Sequence, residues 1–236
     1  MKIGSREWSN LVIEGAAAFD IQLDNHHTDR FAIHAEELIR WTAKTNLTSI
    51  TDPLEVAVKH FLDSLVPAGI IASGASLLDI GSGGGFPGIP LKVLIPSLSV
   101  TLIDASRKKV SFLKHVIRSL KLGGIEALHC RAEALATDPL YINRFDVIIS
   151  RALTSLDSFV RLALPLLAKE GSIIALKGET DKKELADLQL RVIEGLSPGV
   201  SACQSLSVSV KNYYLPFIHS KRSIISIVKN GLAPNS

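Results

Sequence analysis

The residues best suited to chemistry lie in a glycine-rich segment, residues 79–88, with the sequence Asp-Ile-Gly-Ser-Gly-Gly-Gly-Phe-Pro-Gly. The segment follows a short apolar run and precedes a stretch typical of a helix, so we predict a loop at the carboxyl edge of a sheet. Glycines in such a loop let a ligand lie directly against the main chain. The dinucleotide pattern Gly-x-Gly-x-x-Gly fails here, because its last position holds Phe86, which is too large for the close helix–strand packing that glycine permits.

The pattern that remains is Asp-x-Gly-x-Gly-x-Gly, and it resembles the first motif of class I S-adenosylmethionine-dependent methyltransferases. A loop of this kind holds no pyrophosphate, so it packs against a neutral nucleoside and a zwitterionic methionine tail. On this resemblance we expect Gly81, Gly83 and Gly85 to bind the cofactor. We expect Asp79 to engage the ammonium group of the methionine tail, directly or through water.

Two acidic residues follow the next predicted strands. Asp104 ends the second strand, where a carboxylate can accept hydrogen bonds from both ribose hydroxyls. Because NAD enzymes use an acid in the same way, Asp104 indicates a ribose and leaves the cofactor open. After the third strand, the main chain at Ala132 and the carboxylate of Glu133 are suited to bind the adenine amine.

The acceptor in such folds lies over the end of the fourth strand, where the sequence reads Ser150-Arg151-Ala152. This is unlike the Asn/Asp-Pro-Pro-aromatic run of enzymes that methylate exocyclic base amines. Attack on cytosine C5 needs a nucleophilic cysteine nearby, yet Cys130 follows the third strand and Cys203 lies in a later one. The guanidinium of Arg151 can instead bind a guanine edge, a phosphate or the cofactor.

These residues need a scaffold, and from residue 76 onward the sequence alternates between short apolar runs and segments of helix length. This alternation indicates an α/β fold with a doubly wound, mainly parallel sheet. Two later runs, 200–214 and 223–228, suit an antiparallel pair that closes the sheet. The predicted strands are Leu77 to Ile80, Ser99 to Ile103, Ile125 to Leu128, Phe145 to Ile149 and Ser172 to Leu176, and the predicted helices are Ile89 to Ile95, Arg107 to Leu120, Ser155 to Leu167 and Lys182 to Ile193.

The segment before the sheet is predicted to be helical. Thr28 and Asp29 are of the types that cap a helix, and apolar residues recur at helical spacing after them as far as Asn46. A second helix is predicted from Asp52, because a proline follows this capping residue and Glu55 stands three positions after it.

The composition fits one large globular domain with a small appendage, and we divide the chain into a helical extension, 1–70, and a Rossmann-like domain, 71–236. With 47% hydrophobic and 21% charged residues, a disordered or coiled-coil chain is excluded. The two cysteines have no metal-ligand spacing, so we expect a reducing compartment and no metal. No apolar stretch reaches the roughly 18 residues of a membrane span, so we expect a cytoplasmic protein that binds no membrane.

The sequence as a whole resembles one family, the bacterial small-subunit ribosomal RNA guanine-N7 methyltransferases, also called the glucose-inhibited division protein B (GidB) or RsmG family. The resemblance spans about residues 40 to 180 and is looser after residue 195. It implies cofactor contacts at Gly81, Phe86, Asp104, Ala132, Glu133 and Arg151. The motifs that carry it are Asn46-Leu47-Thr48, His60 through Leu65, Asp79 through Leu91, Phe145 through Ala152 and Leu176-Lys177-Gly178.

The resemblance implies an enzyme that uses S-adenosyl-L-methionine, releases S-adenosyl-L-homocysteine and methylates N7 of a specific guanosine in 16S ribosomal RNA. N7 carries an in-plane lone pair and no proton, so no general base is needed and the enzyme's task is alignment. We expect Arg151, Lys177, Asn46 and His60 to position the acceptor, with Lys177 at a phosphate. The partner is 16S ribosomal RNA or the small ribosomal subunit, and we expect a monomer.

Two alternatives remain open from the sequence. One is an NAD-dependent oxidoreductase, which needs a small residue in place of Phe86 and a catalytic acid–base set that the sequence does not offer. The other is a non-enzymatic RNA-binding module that keeps a vestigial cofactor loop. Titration with S-adenosylhomocysteine and with NADH distinguishes a methyltransferase from the oxidoreductase. A methyl-transfer assay distinguishes it from the non-enzymatic module.

Overall fold

The computed structural model describes residues 1–151, 155–178, 184–186 and 206–229. Within these residues a seven-stranded sheet has the order β3-β2-β1-β4-β5-β7-β6. The strands are β1 Ser76–Ile80, β2 Ser99–Asp104, β3 Ile125–His129, β4 Phe145–Arg151, β5 Leu167–Lys177, β6 Leu206–Tyr214 and β7 Lys221–Lys229.

The first five strands run parallel to their neighbours, whereas β7 is antiparallel to both β5 and β6. The predicted doubly wound sheet with its antiparallel C-terminal pair is therefore confirmed. The chain moves outward from β1 to β3 and then crosses back to β4, so the strand order reverses between β1 and β4. A crevice at this reversal, outside the carboxyl ends of the strands, is where open α/β sheets bind ligands.

Seven helices of the described residues surround the sheet, apart from a short helical piece at 184–186. They are α1 Arg6–Ala17, α2 Asn25–Thr45, α3 over 53–65, α4 Gly88–Leu94, α5 Arg107–Ser119, α6 Ala132–Leu135 and α7 Leu156–Ala163. Short 3₁₀ turns follow α3 at Val66–Ile70 and α7 at Leu164–Leu166. None of the described helices is both long and apolar enough to cross a lipid bilayer.

The helix and the strand that follow β4 differ from the predictions at their boundaries. The helix predicted to reach Leu167 ends at Ala163, and β5 starts at Leu167 instead of Ser172. Strand β6 begins at Leu206, and residues 200–205 of that predicted run lie outside the described residues. The helix predicted from Lys182 to Ile193 is described only at 184–186, which are helical.

Helix α2 begins before the predicted cap. Its cap is Asp24, whose Oδ1 accepts a hydrogen bond from the His27 main-chain N–H at 3.0 Å. The prediction that Thr28 and Asp29 start this helix was wrong, because the Asp24 carboxylate already satisfies the free N–H groups one turn earlier.

Helix α3 starts as predicted but changes its winding. Asp52 Oδ1 accepts from the Glu55 N–H at 3.0 Å, with Pro53 in the first turn. From Val56 to Leu62 the helix is π-helical, a wider winding that is frequent at functional sites. The segment contains His60, so the irregular winding lies where a candidate acceptor residue was predicted.

The apolar core has two parts, one on each face of the sheet. The larger part contains Trp8, Phe31 and Phe61 of the N-terminal helices together with Leu77 and Leu102 of the strands. The smaller part joins α6 and α7 to the other face of the sheet. The N-terminal helices therefore share one continuous core with the sheet and are fixed against its carboxyl edge.

Candidate active site

The loop after β1 is held closed by the residue that begins it. Asp79 is fully buried, and its Oδ2 accepts the Gly88 N–H at 3.0 Å, which ties the start of the loop to its end. The N–H groups of Gly81 and Ser82 both donate to the Ile103 carbonyl, at 2.9 and 3.0 Å. Burial raises the pKa of Asp79 to about 7, against the opposing hydrogen bond from Gly88. Its Oδ1 is buried and has no partner among the described residues.

The loop glycines differ in what they face. Gly81 and Gly83 have φ of +73° and +56°, and a Cβ on Gly81 would meet no atom within 4 Å. The nearest atom to a Cβ on Gly83 would be the Gly81 carbonyl oxygen at 3.8 Å. A Cβ on Gly85 would instead lie 2.5 Å from Ile89 Cδ1, so this glycine faces packed protein. Only the first two glycines therefore present bare main chain to open space.

Asp104 lies directly beside this loop, at the carboxyl end of β2. Its Oδ2 accepts the Gly83 N–H at 3.1 Å, and its Oδ1 accepts the Ser106 N–H at 2.8 Å. Lys109 Nζ is 3.9 Å from Oδ2. The carboxylate is thus oriented by the main chain on both sides, and each oxygen keeps further acceptor capacity for hydroxyl groups.

The third predicted cofactor contact lies at the end of β3. Ala132 is buried at the first position of α6, and Glu133 follows it with an exposed side chain. Because β1, β2 and β3 are adjacent parallel strands, the loop, Asp104 and Glu133 lie along one edge of the sheet. The structure therefore brings these predicted residues together.

Phe86 differs from the expectation of an open cofactor contact. Its side chain is 4% exposed and is stacked between two imidazoles, with ring centroids 4.7 Å from His34 and 4.6 Å from His60. His34 donates from Nε2 to the Gly84 carbonyl at 2.7 Å, and burial lowers its pKa to about 4. The phenyl ring thus fastens the loop to α2 and α3.

His60 and Arg151 form the centre of a second group of residues. Arg151 donates from Nη1 to the Lys59 carbonyl at 2.7 Å and from Nη2 to His60 Nδ1 at 3.2 Å. Because a guanidinium only donates, the ring proton of His60 resides on Nε2, which is 2.9 Å from Thr48 Oγ1. Burial lowers the pKa of His60 to about 3, and the charge of Arg151 adds to this effect. His60 is therefore neutral at physiological pH.

Asp63 joins this group to the C-terminal hairpin. Its Oδ1 accepts the Tyr213 Oη–H at 2.7 Å, while Arg151 Nη1 lies 3.8 Å from Oδ2 and Arg222 Nε lies 3.8 Å from Oδ1. Burial raises the pKa of Asp63, although the charge of Arg151 opposes it. Burial also raises the pKa of Tyr213, and Asp63 contributes to the shift. Sequence reasoning missed Tyr213 and Arg222, because they lie in the segment where the family resemblance is loose.

A cleft of about 400 Å³ opens next to these side chains. Lys177 is at its edge, where its ammonium group is paired with Glu184. Asn46 is not among the described lining residues. It ends α2 in the left-handed conformation with φ of +48°, and its N–H donates to the Thr42 carbonyl at 3.1 Å. The described residues that line the cleft are Ile50, Lys59, His60, Asp63, Arg151, Leu176, Lys177, Gly178 and Arg222.

The residues along β1 to β3 fit a nucleoside cofactor with a charged amino-acid tail. The faces of Gly81 and Gly83 are open, the Asp104 carboxylate is oriented towards the loop, and Glu133 is exposed. The buried Asp79 Oδ1 without a partner is a further acceptor beneath the loop. Fully buried as it is, Asp79 reaches an ammonium group only through a water or after a local movement of the loop.

The fold defines the class of the protein. The seven-stranded sheet with its antiparallel β7 is consistent with the fold of class I S-adenosylmethionine-dependent methyltransferases. The chain is similar in fold to a SAM-dependent methyltransferase from Aquifex aeolicus, with TM-score 0.53, 16% identity and coverage of 82% of this chain and 98% of that one. It is also similar to a precorrin-6y C5,15-methyltransferase from Geobacter metallireducens, with TM-score 0.51, 13% identity and coverage of 79% and 92%.

The sequence comparison identifies the family within this class. The GidB family model, described as rRNA small subunit methyltransferase G, matches residues 27–198. Proteins named ribosomal RNA small subunit methyltransferase G are similar along much of the chain. One from Geobacter sp. (strain M21) is 41% identical over 220 residues, which cover 93% of this chain and 97% of that one. One from Desulfitobacterium hafniense (strain Y51) is 44% identical over 168 residues, covering 71% and 70%.

The chain therefore belongs to the GidB family of methyltransferases. This confirms the resemblance drawn from the motifs. It also means that the oxidoreductase and the non-enzymatic RNA-binding module are wrong interpretations, because the family is one of methyltransferases.

Proposed function

We propose that this protein transfers a methyl group from S-adenosylmethionine to N7 of a guanosine in the 16S RNA of the small ribosomal subunit. Family membership supports an rRNA substrate, since the relatives are named ribosomal RNA small subunit methyltransferase G. When bound, S-adenosylmethionine supplies an electrophilic sulfonium methyl, whose transfer leaves S-adenosylhomocysteine and a cationic 7-methylguanine without release of a proton. We further propose that the enzyme acts as a cytoplasmic monomer.

N7 as the acceptor is supported by the hydrogen bonds and ion pairs of the side chains at the cleft that could act as a base. Both nitrogens of His60 are occupied, one by Arg151 and one by Thr48. Asp63 accepts the Tyr213 hydroxyl and lies between two guanidinium groups. His60 and Asp63 are therefore both engaged with donors or cations, and the other described lining residues include no general base. An acceptor that must lose a proton would need one, whereas guanine N7 does not.

We assign the cofactor to the loop side of the crevice. Gly81 and Gly83 would lie against it with their main chains, and Asp104 would accept the ribose hydroxyls. Glu133 and the Ala132 main chain would bind the adenine, while Asp79 would act on the ammonium group from beneath the loop. Phe86 and Gly85 support this site by packing, since both side-chain positions are filled by protein contacts.

We assign the acceptor to the cleft. The guanidinium of Arg151 lies at the end of β4 between the two groups of residues, and it keeps N–H donors beyond those used by Lys59 and His60. These donors suit the O6 atom of guanine, which leaves the N7 lone pair free for the methyl group, or the cofactor. Lys177 would bind a phosphate by exchanging its partner Glu184, and His60 would hold Arg151 in place. Asn46 would help to position the acceptor from the end of α2.

The test is methyl transfer to small ribosomal subunits from a strain that lacks this gene. We expect incorporation from labelled S-adenosylmethionine and one new 7-methylguanosine by mass spectrometry of digested RNA. Subunits from the parent strain serve as the control, because their target is already methylated. RNA with 7-deazaguanosine at the target keeps the Watson–Crick edge but lacks N7, so it should bind without reacting. Methylation of that analogue on any atom would refute N7 as the acceptor.

A further inference from the structure

The positive charges at the cleft are not fully balanced. Lys59 is paired with Glu55 at 2.6 Å, and Lys177 is paired with Glu184. The two arginines of the cleft, in contrast, share one carboxylate. Asp63 is the single acidic side chain among the described lining residues, and it lies 3.8 Å from each guanidinium. Among the described lining residues, the two arginines therefore outnumber the carboxylate between them.

Arg222 keeps donors that a ligand could use. Its Nη1 donates to Ser220 Oγ at 2.9 Å and to the Lys221 carbonyl at 3.1 Å, which orients the guanidinium plane. Its Nε is too far from Asp63 for a hydrogen bond, and its Nη2 has no hydrogen-bond partner among the described residues. The side chain is 22% exposed and lines the cleft. An oriented guanidinium with free donors is suited to bind an oxyanion with two hydrogen bonds.

Two anions could come near this edge of the sheet, a phosphate of the RNA and the carboxylate of the methionine tail. The cofactor loop follows β1, whereas Arg222 belongs to β7, and two strands, β4 and β5, lie between them. With neighbouring strands about 4.8 Å apart, β7 lies about 14 Å from β1. Ser223, the next residue in β7, pairs with Lys177 of β5, so Arg222 is on the acceptor side of the cleft. This position favours the phosphate.

We propose that Arg222 is a substrate-positioning residue that binds a phosphate of the RNA next to the target guanosine. Asp63, held by Tyr213, keeps Arg222 and Arg151 in place at the two sides of the cleft. The proposal rests on the proposed function for its substrate. It gives the C-terminal hairpin a role in recognition. Tyr213 acts through Asp63, and Arg222 would touch the RNA itself.

The experiment compares Arg222→Gln, Arg222→Lys and Tyr213→Phe with the wild-type protein. Binding of each protein to small ribosomal subunits is measured at several salt concentrations. Its binding of S-adenosylhomocysteine is measured by calorimetry. We expect Arg222→Gln to weaken RNA binding about tenfold or more and to lower the slope of log affinity against log salt by about one. We expect Arg222→Lys to keep the slope, because it keeps the charge. Cofactor affinity should be unchanged in both.

The controls separate a phosphate contact from a structural effect. Tyr213→Phe loosens Asp63 without removing a cation, so it should raise KM for the RNA and leave the salt slope intact. Arg144→Gln removes a guanidinium just before β4, at the opposite edge of the sheet, and should change neither RNA nor cofactor binding.

Three results would overturn the proposal. An unchanged salt slope in Arg222→Gln would exclude a phosphate at Arg222. A loss of cofactor affinity with a normal slope would assign the methionine carboxylate to it. A slope that falls equally in Tyr213→Phe would show that the network is structural only. Failure of the proposed function itself would appear separately, as absent methyl transfer by the wild-type protein.

Discussion

The phenyl ring of Phe86 is stacked on the imidazole of His60, with ring centroids 4.6 Å apart and planes inclined by 12°. Phe86 belongs to the loop after β1, and His60 belongs to α3, which borders the acceptor cleft. The stack therefore joins the two halves of the site. Arg151 lies 5.1 Å from the same phenyl ring and contacts His60, so the end of β4 is part of one packed unit with both. A displacement of the loop would be transmitted to the cleft through this contact.

The first prediction concerns the carboxylate at the end of β2. Asp104→Ala should weaken S-adenosylhomocysteine binding by roughly 1 to 3 kcal/mol, because two ribose hydroxyls lose a charged acceptor and Gly83 loses a hydrogen bond. Calorimetric titration measures the change. Asp146→Ala is a matched control, since Asp146 also accepts a main-chain N–H, from Ser76 at 2.8 Å, but lies at the opposite edge of the sheet. Unchanged affinity in Asp104→Ala would refute the assignment to the ribose.

The second prediction separates two glycines of the loop. Gly83→Val should abolish cofactor binding with a small cost in stability, of about 1 to 2 kcal/mol from the positive φ, because the side chain enters open space. Gly85→Val should lower the free energy of unfolding further, because its Cβ would lie 2.5 Å from Ile89 Cδ1. The sequence predicts that both glycines bind the cofactor, whereas the packing shows that the side-chain position of Gly85 is filled by protein.

Urea unfolding and calorimetry on both variants test this difference. Gly69→Val is the control, because a Cβ there would meet no atom within 4 Å. Normal cofactor affinity in Gly83→Val would mean that the loop is only a turn. A fully stable Gly85→Val protein would contradict the packing role.

The third prediction uses the pKa of Asp79, which is about 7 in the folded protein and near 3.8 in the unfolded chain. Between these values the folded state holds a proton that the unfolded state has lost, so the contribution of Asp79 to stability falls as pH rises from about 4 to about 7. Asp79→Asn removes this titration. The stability of Asp79→Asn relative to wild type should therefore increase over that range and stay constant above about pH 8. A difference that does not vary with pH would contradict the raised pKa.

The fourth prediction concerns Lys177 and uses a control on the same strand. If Lys177 binds an RNA phosphate, Lys177→Gln should weaken RNA binding, lower the salt slope by about one and leave cofactor affinity intact. Lys169→Gln lies near the other end of β5 and should have no effect. Loss of cofactor affinity would assign Lys177 to the cofactor side instead. No change in either measurement would show that Lys177 serves only its ion pair with Glu184.

Much of the scaffold could be predicted from the sequence. Strands buried on both faces are apolar runs, which can be recognised without knowing which strands they pair with. The glycine-rich loop and Asp104 could also be predicted, because their residue types and their positions at the ends of predicted strands are local features of the sequence. The π-helical winding of Val56 to Leu62 could not be seen, because the apolar spacing there also fits an ordinary helix.

The acceptor half of the site was harder to predict, because it is built from long-range contacts. Tyr213 meets Asp63 across 150 residues of chain, and Arg222 reaches the same carboxylate from β7. Neither residue stands in a motif, and a tyrosine or arginine on a strand is ordinary by type. Asn46 was singled out by its motif, yet its left-handed φ shows that ending α2 is one of its roles.

The last prediction concerns the pH dependence of the reaction. With saturating substrates, the maximal rate should vary little between about pH 6.5 and 8.5, because N7 loses no proton and no general base is needed. His60 adds no pH effect, because its pKa of about 3 keeps it neutral over the whole range. His60→Gln should therefore lower the rate by loosening Arg151 while the profile stays flat. A bell-shaped profile in the wild-type protein that is lost in His60→Gln would show that His60 exchanges a proton, and would require an acceptor other than N7.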